Sequence, residues 1–262
     1  MNAALNQKLI SYAQNGEDVM LFRAFKDLVE GFYIDVGAHD PVVGSVTKLF
    51  YERGWHGINV EPGPRFEALA LDRPRDLNLN CAVGPIGTIK LYEIRSGLST
   101  EDADIARQHL AQGYDVSERE VQSLPPHEIF ARAGVRDVHF LKIDTEGAER
   151  QVLLSGDFSK YRPWIVVVEA TYPMTQRPSH QEWEPLLDAN EYRMVWFDGL
   201  NRWYIASERL SSLAAAFSAP LNFFDNYISY REQCLLQILN GINRLSGSTD
   251  VFRTAAELKR NA

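Results

Sequence analysis

The sequence is poor in cysteine and has no cluster of zinc ligands. Cys81 and Cys234 are its only thiols in 262 residues, and no Cys-x-x-Cys or Cys/His group occurs. Two isolated thiols make neither a disulfide framework nor a structural zinc site. We therefore expect a reducing compartment, and the predicted location is cytoplasmic.

Excess positive charge and long apolar runs are also lacking. Lysine and arginine number 27 against 35 acids, which gives a formal net charge of −8. An acidic chain offers no broad basic face, so no nucleic-acid partner is expected. No apolar run reaches the roughly 18 residues that span a bilayer. We therefore predict no transmembrane segment, and the N-terminus lacks a signal-peptide pattern.

The glycine patterns that bind phosphates are absent as well. After Gly37 the next glycine is Gly44, so G-x-G-x-x-G is not completed, and GxxxxGK[ST] does not occur. Those motifs let the backbone approach a phosphate group. An NAD-dependent enzyme is accordingly the least favoured enzyme class.

What the chain does have is an alternation of strand-like and helix-like runs from about residue 31. This order is typical of an α/β domain with a parallel sheet between helices. An Asp-Gly turn between 192–199 and 201–207 predicts an antiparallel pair at the end of the sheet. The other predicted strands are 31–36, 57–60, 77–83, 138–143 and 164–169, and the predicted helices are 44–53, 64–72 and 146–155.

The predicted organisation has three parts. Residues 1–30 form a helical lead-in, with Asn15 as the cap of a helix that aligns Leu21, Phe25 and Leu28. Residues 31–210 form the main domain, in which 84–94 suggests a hairpin and the polar insertion 95–128 a lid or acceptor wall. Residues 211–262 form a helical tail. Its helix, 223–245, has an apolar stripe that packs on the domain or forms a homo-oligomer.

Acidic residues stand at four predicted strand ends. They are Asp35, Glu61, Asp144 and Glu169. Parallel strands end at one edge of the sheet, where α/β proteins bind ligands, so the four carboxylates are expected to converge. Converging carboxylates repel one another unless a cation or hydrogen-bond donors lie among them.

The spacing of the first two acids points to a nucleoside ligand. Glu61 follows Asp35 by 26 residues, the usual distance for an acid that binds ribose hydroxyls. S-adenosylmethionine has such a ribose and a positive sulfonium, and its carboxylate would bind backbone N–H groups around Gly37 and Ala38. Simpler roles stay open, because Asp35 could cap a helix and Glu61 could belong to a plain turn.

Several blocks, in order, resemble the FkbM-type methyltransferase family. They are YAQNGED (12–18), IDVGAHDP (34–41), GWHGINVEPGP (54–64), CAVG (81–84), FLKIDTEGAERQVLLSG (140–156) and RPWIVVVEA (162–170). The resemblance implies a class I, Rossmann-like methyltransferase fold: a mostly parallel seven-stranded sheet with helices on both faces and one antiparallel strand. It also implies S-adenosylmethionine-dependent O-methylation of a hydroxyl on a sugar, glycan or glycosylated metabolite.

The resemblance also implies which residues bind the cofactor. Asp35 would lie at its methionine end, Glu61 at the ribose and Cys81 beside the adenine, with Asp144 nearest the methyl group. The implied set is Gln14, Asp35, Gly37, Ala38, Glu61, Cys81, Ala82, Ser99 and Asp144.

For catalysis, an alcohol needs a general base because it is a weak nucleophile. Asp144 is preferred for its expected position and His39 second for its better-matched pKa. Glu146 and Glu169 would orient the acceptor or tune the base. The favoured prediction is that the site binds no metal ion, although Asp144 and Glu169 could hold a divalent cation.

The acceptor is expected to meet aromatic side chains. Tyr172, Trp196 and Trp203 could stack on a sugar ring, or else belong to the hairpin core. The alternative function is a non-catalytic cofactor-binding or assembly module that retains the fold.

Overall fold

The computed structural model describes residues 8–94, 98–134, 137–158 and 160–246. The strands are β1 (Leu9–Ser11), β2 (Phe32–Val36), β3 (His56–Val60), β4 (Leu77–Leu79), β5 (Ala82–Val83), β6 (Gly87–Ile94), β7 (Val116–Leu124), β8 (Phe140–Ile143), β9 (Ile165–Glu169), β10 (Tyr192–Phe197), β11 (Asn201–Ala206) and β12 (Tyr227–Ser229). The α-helices are α1 (Glu17–Phe25), α2 (Lys48–Glu52), α3 (Arg65–Asp72), α4 (Ala103–Ala111), α5 (Pro126–Arg132), α6 (Glu149–Leu154), α7 (Glu184–Ala189), α8 (Leu210–Leu213) and α9 (Tyr230–Ser246).

Seven strands form the main sheet in the order β10-β11-β9-β8-β2-β3-β4. Every pairing among β9, β8, β2, β3 and β4 is parallel, whereas β11 runs antiparallel to both of its neighbours. A single strand is therefore reversed, and the predicted fold class is confirmed.

Helices cover both faces of this sheet, and alternate strand residues face them. In β9, Val166 and Val168 join an apolar cluster that includes Val152 of α6. Ile165 and Val167 join a second cluster, which includes Leu21 and Phe25 of α1 and Phe50 of α2. Because both faces are covered, all five residues of β9 are buried.

The predicted strand at 77–83 is wrong in its second half. β4 ends at Leu79, and β5 pairs with β7 in a separate three-stranded sheet of order β5-β7-β6. The expected hairpin at 84–94 is wrong too, because all of β6 pairs antiparallel with β7. Its partner lies beyond α4, and no local turn pattern reports such a distant pairing.

The start of α1 also differs from the prediction. Gly16, in the left-handed conformation, precedes the helix, and no side chain caps it. Asn15 instead donates its side-chain N–H to the Asp198 carbonyl at 3.3 Å. Leu28 lies beyond the end of the helix and is exposed.

The tail helix begins later than predicted because the chain first returns to the N-terminal segment. β12 pairs parallel with β1, and α9 starts only after this pairing. Residues 1–7 of the predicted lead-in and 247–262 of the predicted tail lie outside the described residues. Within the described residues, no helix combines the length and apolar character needed to cross a bilayer.

Candidate active site

A cavity of about 1100 Å³ opens beyond the carboxyl ends of β2, β3, β8 and β9. The small sheet supplies part of its wall through Leu91 and Ser117. Every residue that the sequence predicts for cofactor binding or catalysis lines this cavity. They are Gln14, Asp35, Gly37, Ala38, His39, Glu61, Cys81, Ala82, Ser99, Asp144, Glu146 and Glu169.

The floor depends on a close approach between the segments that follow β2 and β8. Gly37 has a φ of 84°, and a Cβ at this position would lie 1.7 Å from the Asp144 carbonyl oxygen. The Asp144 N–H donates to the Val36 carbonyl at 3.0 Å. Gly37 therefore lets the Asp144 backbone lie directly against the end of β2.

The backbone N–H groups of Gly37 and Ala38 both donate to the Val60 carbonyl, at 3.0 and 3.1 Å. These bonds hold the turn after β2 against the end of β3. That N–H groups around Gly37 and Ala38 bind the cofactor carboxylate stays a prediction. Each residue still lines the cavity.

Two carboxylates mark this side of the cavity. Glu61 Oε2 accepts a hydrogen bond from the His39 backbone N–H at 2.8 Å, and Oε1 accepts none from a described residue. Asp35 accepts from the Thr47 hydroxyl at 3.3 Å. Burial is the main cause that raises the pKa of Glu61 to about 7 and that of Asp35 to about 6. Both carboxylates suit a ligand that brings donors or positive charge.

On the opposite side, Asp144 forms an ion pair with a buried lysine inside β8. Lys142 Nζ lies 3.1 Å from Asp144 Oδ2 and donates to Asn201 Oδ1 at 2.9 Å. The Asn201 amide in turn donates to Glu17 Oε1. Burial alone would raise the pKa of Asp144, but Lys142 and a hydrogen bond to Glu169 hold it below its usual range. Asp144 is therefore an ionised, weak base.

The loop after Asp144 is fixed by polar anchors. Glu149 Oε1 accepts from the Thr145 N–H and hydroxyl, at 2.9 and 3.0 Å, and from the Gly147 N–H at 3.2 Å. The Thr100 hydroxyl donates to the Glu146 carbonyl at 2.7 Å. These contacts hold Glu146 at a φ of 53°, an uncommon conformation for a non-glycine residue.

Asp144, Glu146 and Glu169 form an acidic cluster. Carboxylate oxygens from all three lie within 4.8 Å of one another. Burial, followed by the charge of Asp144, raises the pKa of Glu146 to about 8 and that of Glu169 to about 11. The structure thus brings together three of the four predicted catalytic residues.

His39 lies near this cluster on the turn after β2, with a left-handed φ of 52°. Burial first, and Arg65 second, lower the pKa of its imidazole. Its Nε2 is buried and has no hydrogen-bond partner among the described residues. The ring is therefore neutral at neutral pH and has an unused proton acceptor.

The remaining predicted cofactor residues lie around the cavity. Gln14 is exposed at the rim, whereas Cys81 is buried just before β5 and Ala82 is buried as the first residue of β5. Burial raises the pKa of the Cys81 thiol to about 11, so it stays a neutral, apolar wall. The Ser99 hydroxyl accepts from the Ile94 N–H at 3.1 Å, which ties it to the end of β6.

The three predicted acceptor-binding aromatics do not line the cavity. Trp203 is 1% exposed in the core and donates its indole N–H to Asp198. Trp196 packs against the same apolar cluster. The Tyr172 hydroxyl donates to Glu182 at the surface, at 2.6 Å. Both tryptophans thus pack in the hairpin core, Trp203 on the interior strand β11 and Trp196, half-buried, on the edge strand β10.

The sequence interpretation missed Lys142 and Glu101, which also line the cavity. A lysine within the apolar run FLKI was a usable signal, because a buried ammonium needs an acidic partner. Glu101 had no such signal. Its pKa is raised to about 7 by burial and by Glu149, a residue distant in sequence.

A seven-stranded sheet of this order with one reversed strand, and a cavity beyond its parallel strand ends, defines the class I methyltransferase fold. A profile described as "Methyltransferase FkbM domain" matches residues 35–194, and the chain belongs to the FkbM methyltransferase family. Membership implies S-adenosylmethionine as the methyl donor.

No protein of curated function matches the sequence. Among solved structures, the chain is similar to the O-methyltransferase NovP at 12% sequence identity and a TM-score of 0.34. That alignment covers 73% of this chain and 78% of NovP.

Proposed function

We propose that this protein is an S-adenosylmethionine-dependent O-methyltransferase that acts on a hydroxyl of a sugar, glycan or glycosylated metabolite. The observation that carries the proposal is the convergence of the strand-end carboxylates on one cavity of about 1100 Å³. Pockets for ligands of this size usually measure about 300–1,000 Å³, so there is room for the cofactor and part of an acceptor.

The side of the cavity formed by β2 and β3 fits the cofactor. Glu61 Oε1 accepts no hydrogen bond from a described residue and suits the hydroxyl groups of a ribose. Asp35 is 3% exposed, and the single hydrogen bond that its carboxylate accepts from a described side chain, that of Thr47, is long at 3.3 Å. It would compensate the positive charge of the methionine portion. Cys81 and Ala82 supply an apolar wall for the adenine.

S-adenosylmethionine supplies a methyl group on a positively charged sulfur, and this carbon passes to the acceptor oxygen as the carbon–sulfur bond breaks. The protein's part is to hold the acceptor hydroxyl in line and to accept its proton. Holding the reacting groups in line can lower the barrier by about 7–11 kcal/mol.

Two observations support His39 over Asp144 as the base that accepts this proton. Asp144 is paired with Lys142 and its pKa is lowered, so it gains a proton poorly. His39 is neutral, and its Nε2 has no partner among the described residues. Asp144 then positions the acceptor instead of taking the proton.

The test of the reaction is transfer of a labelled methyl group from S-adenosylmethionine to a panel of glycans, read by mass spectrometry. S-adenosylhomocysteine should raise the melting temperature. Binding without transfer to any acceptor would favour the non-catalytic module, and no stabilisation would contradict both functions.

The test of the base is His39→Asn, because asparagine tolerates the left-handed backbone at this position. We expect kcat to fall roughly 10²–10⁴-fold, with S-adenosylhomocysteine affinity within about threefold of wild type. An unchanged kcat would return the role to Asp144.

A further inference from the structure

The acidic cluster is not neutralised by the protein around it. Lys142 contacts Asp144 and Asn201, and among the described residues no lysine or arginine forms an ion pair with Glu146 or Glu169. If a bound cation displaces the protons of Glu146 and Glu169, the three carboxylates and this one ammonium carry a formal charge of −2. One divalent cation balances that charge.

Unused oxygen atoms in the cluster also indicate a ligand. Glu169 is 8% exposed, and its Oε2 is buried with no hydrogen-bond partner among the described residues. Glu146 Oε2 is buried and unpartnered in the same way. A buried carboxylate oxygen without a partner is costly, and all three residues line the cavity. The missing partner therefore enters from the cavity.

We propose that Asp144, Glu146 and Glu169 bind a divalent cation with the chemistry of Mg²⁺ or Mn²⁺. Such ions prefer oxygen ligands in octahedral geometry, and the three carboxylates have oxygens within 4.8 Å of one another. If each carboxylate contributes one oxygen, further coordination positions of the ion stay open for water and acceptor hydroxyls. Sequence alone suggested Asp144 and Glu169 as cation ligands, and the structure adds Glu146 as a third.

The ion's role rests on the proposed function, whereas its binding does not. A cation at this end of the cavity would bind the acceptor hydroxyl and lower its pKa, so that His39 removes the proton more easily. Two neighbouring hydroxyls of a sugar could occupy two open positions. The Thr100 contact to the Glu146 carbonyl holds the ligand-bearing loop in place.

The experiment is calorimetric titration of Mn²⁺ into the full chain without cofactor or acceptor. We expect one site, which Glu169→Gln and Glu146→Gln each weaken at least tenfold. Glu101→Gln is the matched control, since Glu101 lines the same cavity outside the cluster, and it should change binding less than twofold. No binding by wild type, or binding unaffected by both cluster variants, would overturn the proposal.

A second titration separates this inference from the proposed function. S-adenosylhomocysteine is titrated into wild type and both cluster variants in the presence of EDTA, after melting curves confirm that the variants are folded. We expect wild type and both variants to bind S-adenosylhomocysteine with equal affinity. That result would show that the rest of the cavity is intact, so that any loss of Mn²⁺ binding comes from the substituted carboxylate. Mn²⁺ binding without S-adenosylhomocysteine binding would contradict only the proposed function.

Discussion

The two sides of the cavity are built differently. On the β2 and β3 side, the backbone is closed on itself, since Gly37, Ala38 and His39 donate their N–H groups to Val60 and Glu61. On the β8 and β9 side, the backbone is equally fixed, but carboxylate oxygens of Glu146 and Glu169 have no partner among the described residues.

On the first side the fold itself satisfies the polar groups, whereas on the second side a ligand is needed to satisfy them. The first side holds its shape through hydrogen bonds that exist without a ligand, so we infer that it is preorganised for the proposed cofactor. The second side carries unpaired acids whose pKa values are raised by burial and by one another. We infer that its charge balance depends on what binds there.

The largest expected effect comes from blocking the close approach of the Gly37 backbone to the Asp144 carbonyl on the first side. Gly37→Ala places a Cβ against the Asp144 carbonyl at a left-handed φ. We expect a loss of roughly 2–5 kcal/mol in the free energy of unfolding, combining backbone strain and overpacking, together with loss of S-adenosylhomocysteine binding. Urea unfolding and calorimetry measure the two effects.

Gly54→Ala is the matched control for this clash. Gly54 also has a positive φ, of 94°, but a Cβ there meets nothing within 4 Å. It should cost only the backbone term, about 1–2 kcal/mol. Equal losses in the two variants would show that the approach to Asp144 has no special importance.

The next effect concerns the acid on the cofactor side. Glu61→Gln keeps the shape that accepts the His39 N–H but removes the charge offered to the ribose. Hydrogen bonds to charged groups contribute about 1.5–3 kcal/mol, so S-adenosylhomocysteine affinity should fall roughly 10-fold or more. Glu67→Gln, an exposed change on α3, is the control. Unaltered affinity in Glu61→Gln would remove this residue from the cofactor site.

Both sides of the cavity could be located from sequence for the same physical reason. A short apolar run that ends on an acid is a local signal, and parallel strands bring such ends together at one edge. Asp35, Glu61, Asp144 and Glu169 were found in this way, and all line the cavity. The alternation of strands and helices predicted an α/β domain with a parallel sheet, whereas the resemblance to the FkbM-type family supplied the class I fold with one antiparallel strand.

What sequence could not supply was pairing between distant segments. Lys142 donates to Asn201, the first residue of β11, and β6 pairs with β7 across α4. Sequence left open whether the hairpin tryptophans stack on an acceptor or pack in the core, because register decides which face each occupies. A register shift between Met194 and Trp196 alters that face, and no local pattern announces it.

A smaller effect is a pH dependence shared by a cavity acid and a structural acid. Burial is the main cause that raises the pKa of Asp18 and of Glu61 to about 7 in the folded chain. A carboxyl with a raised folded-state pKa adds stability that is complete below its unfolded pKa, near 4, and is lost as pH rises towards 7. The free energy of unfolding measured with urea should therefore be lower at pH 8 than at pH 5.5, by on the order of 2 kcal/mol for each of the two groups.

Asp18→Asn tests the source of that slope. Asp18 accepts hydrogen bonds from Ser11 and from the Tyr12 and Val19 N–H groups, so the substitution lowers stability at every pH. Because one titrating group is gone, the decline from pH 5.5 to pH 8 should become shallower. A midpoint that rises with pH in wild type would contradict the burial of these acids.

The smallest effect distinguishes the cavity wall from the surface beside it. Tyr172 binds Glu182 at the surface and lies outside the cavity, whereas its neighbour Thr171 lines it. Tyr172→Ala should change the free energy of unfolding by about 1 kcal/mol or less, since one surface hydrogen bond is lost, and the acceptor KM should stay within about twofold. Steady-state kinetics with an acceptor glycan that the wild-type protein methylates decide the point. A KM raised tenfold by Tyr172→Ala, with Thr171→Ala unaffected, would mean that the acceptor extends over the rim onto this ring.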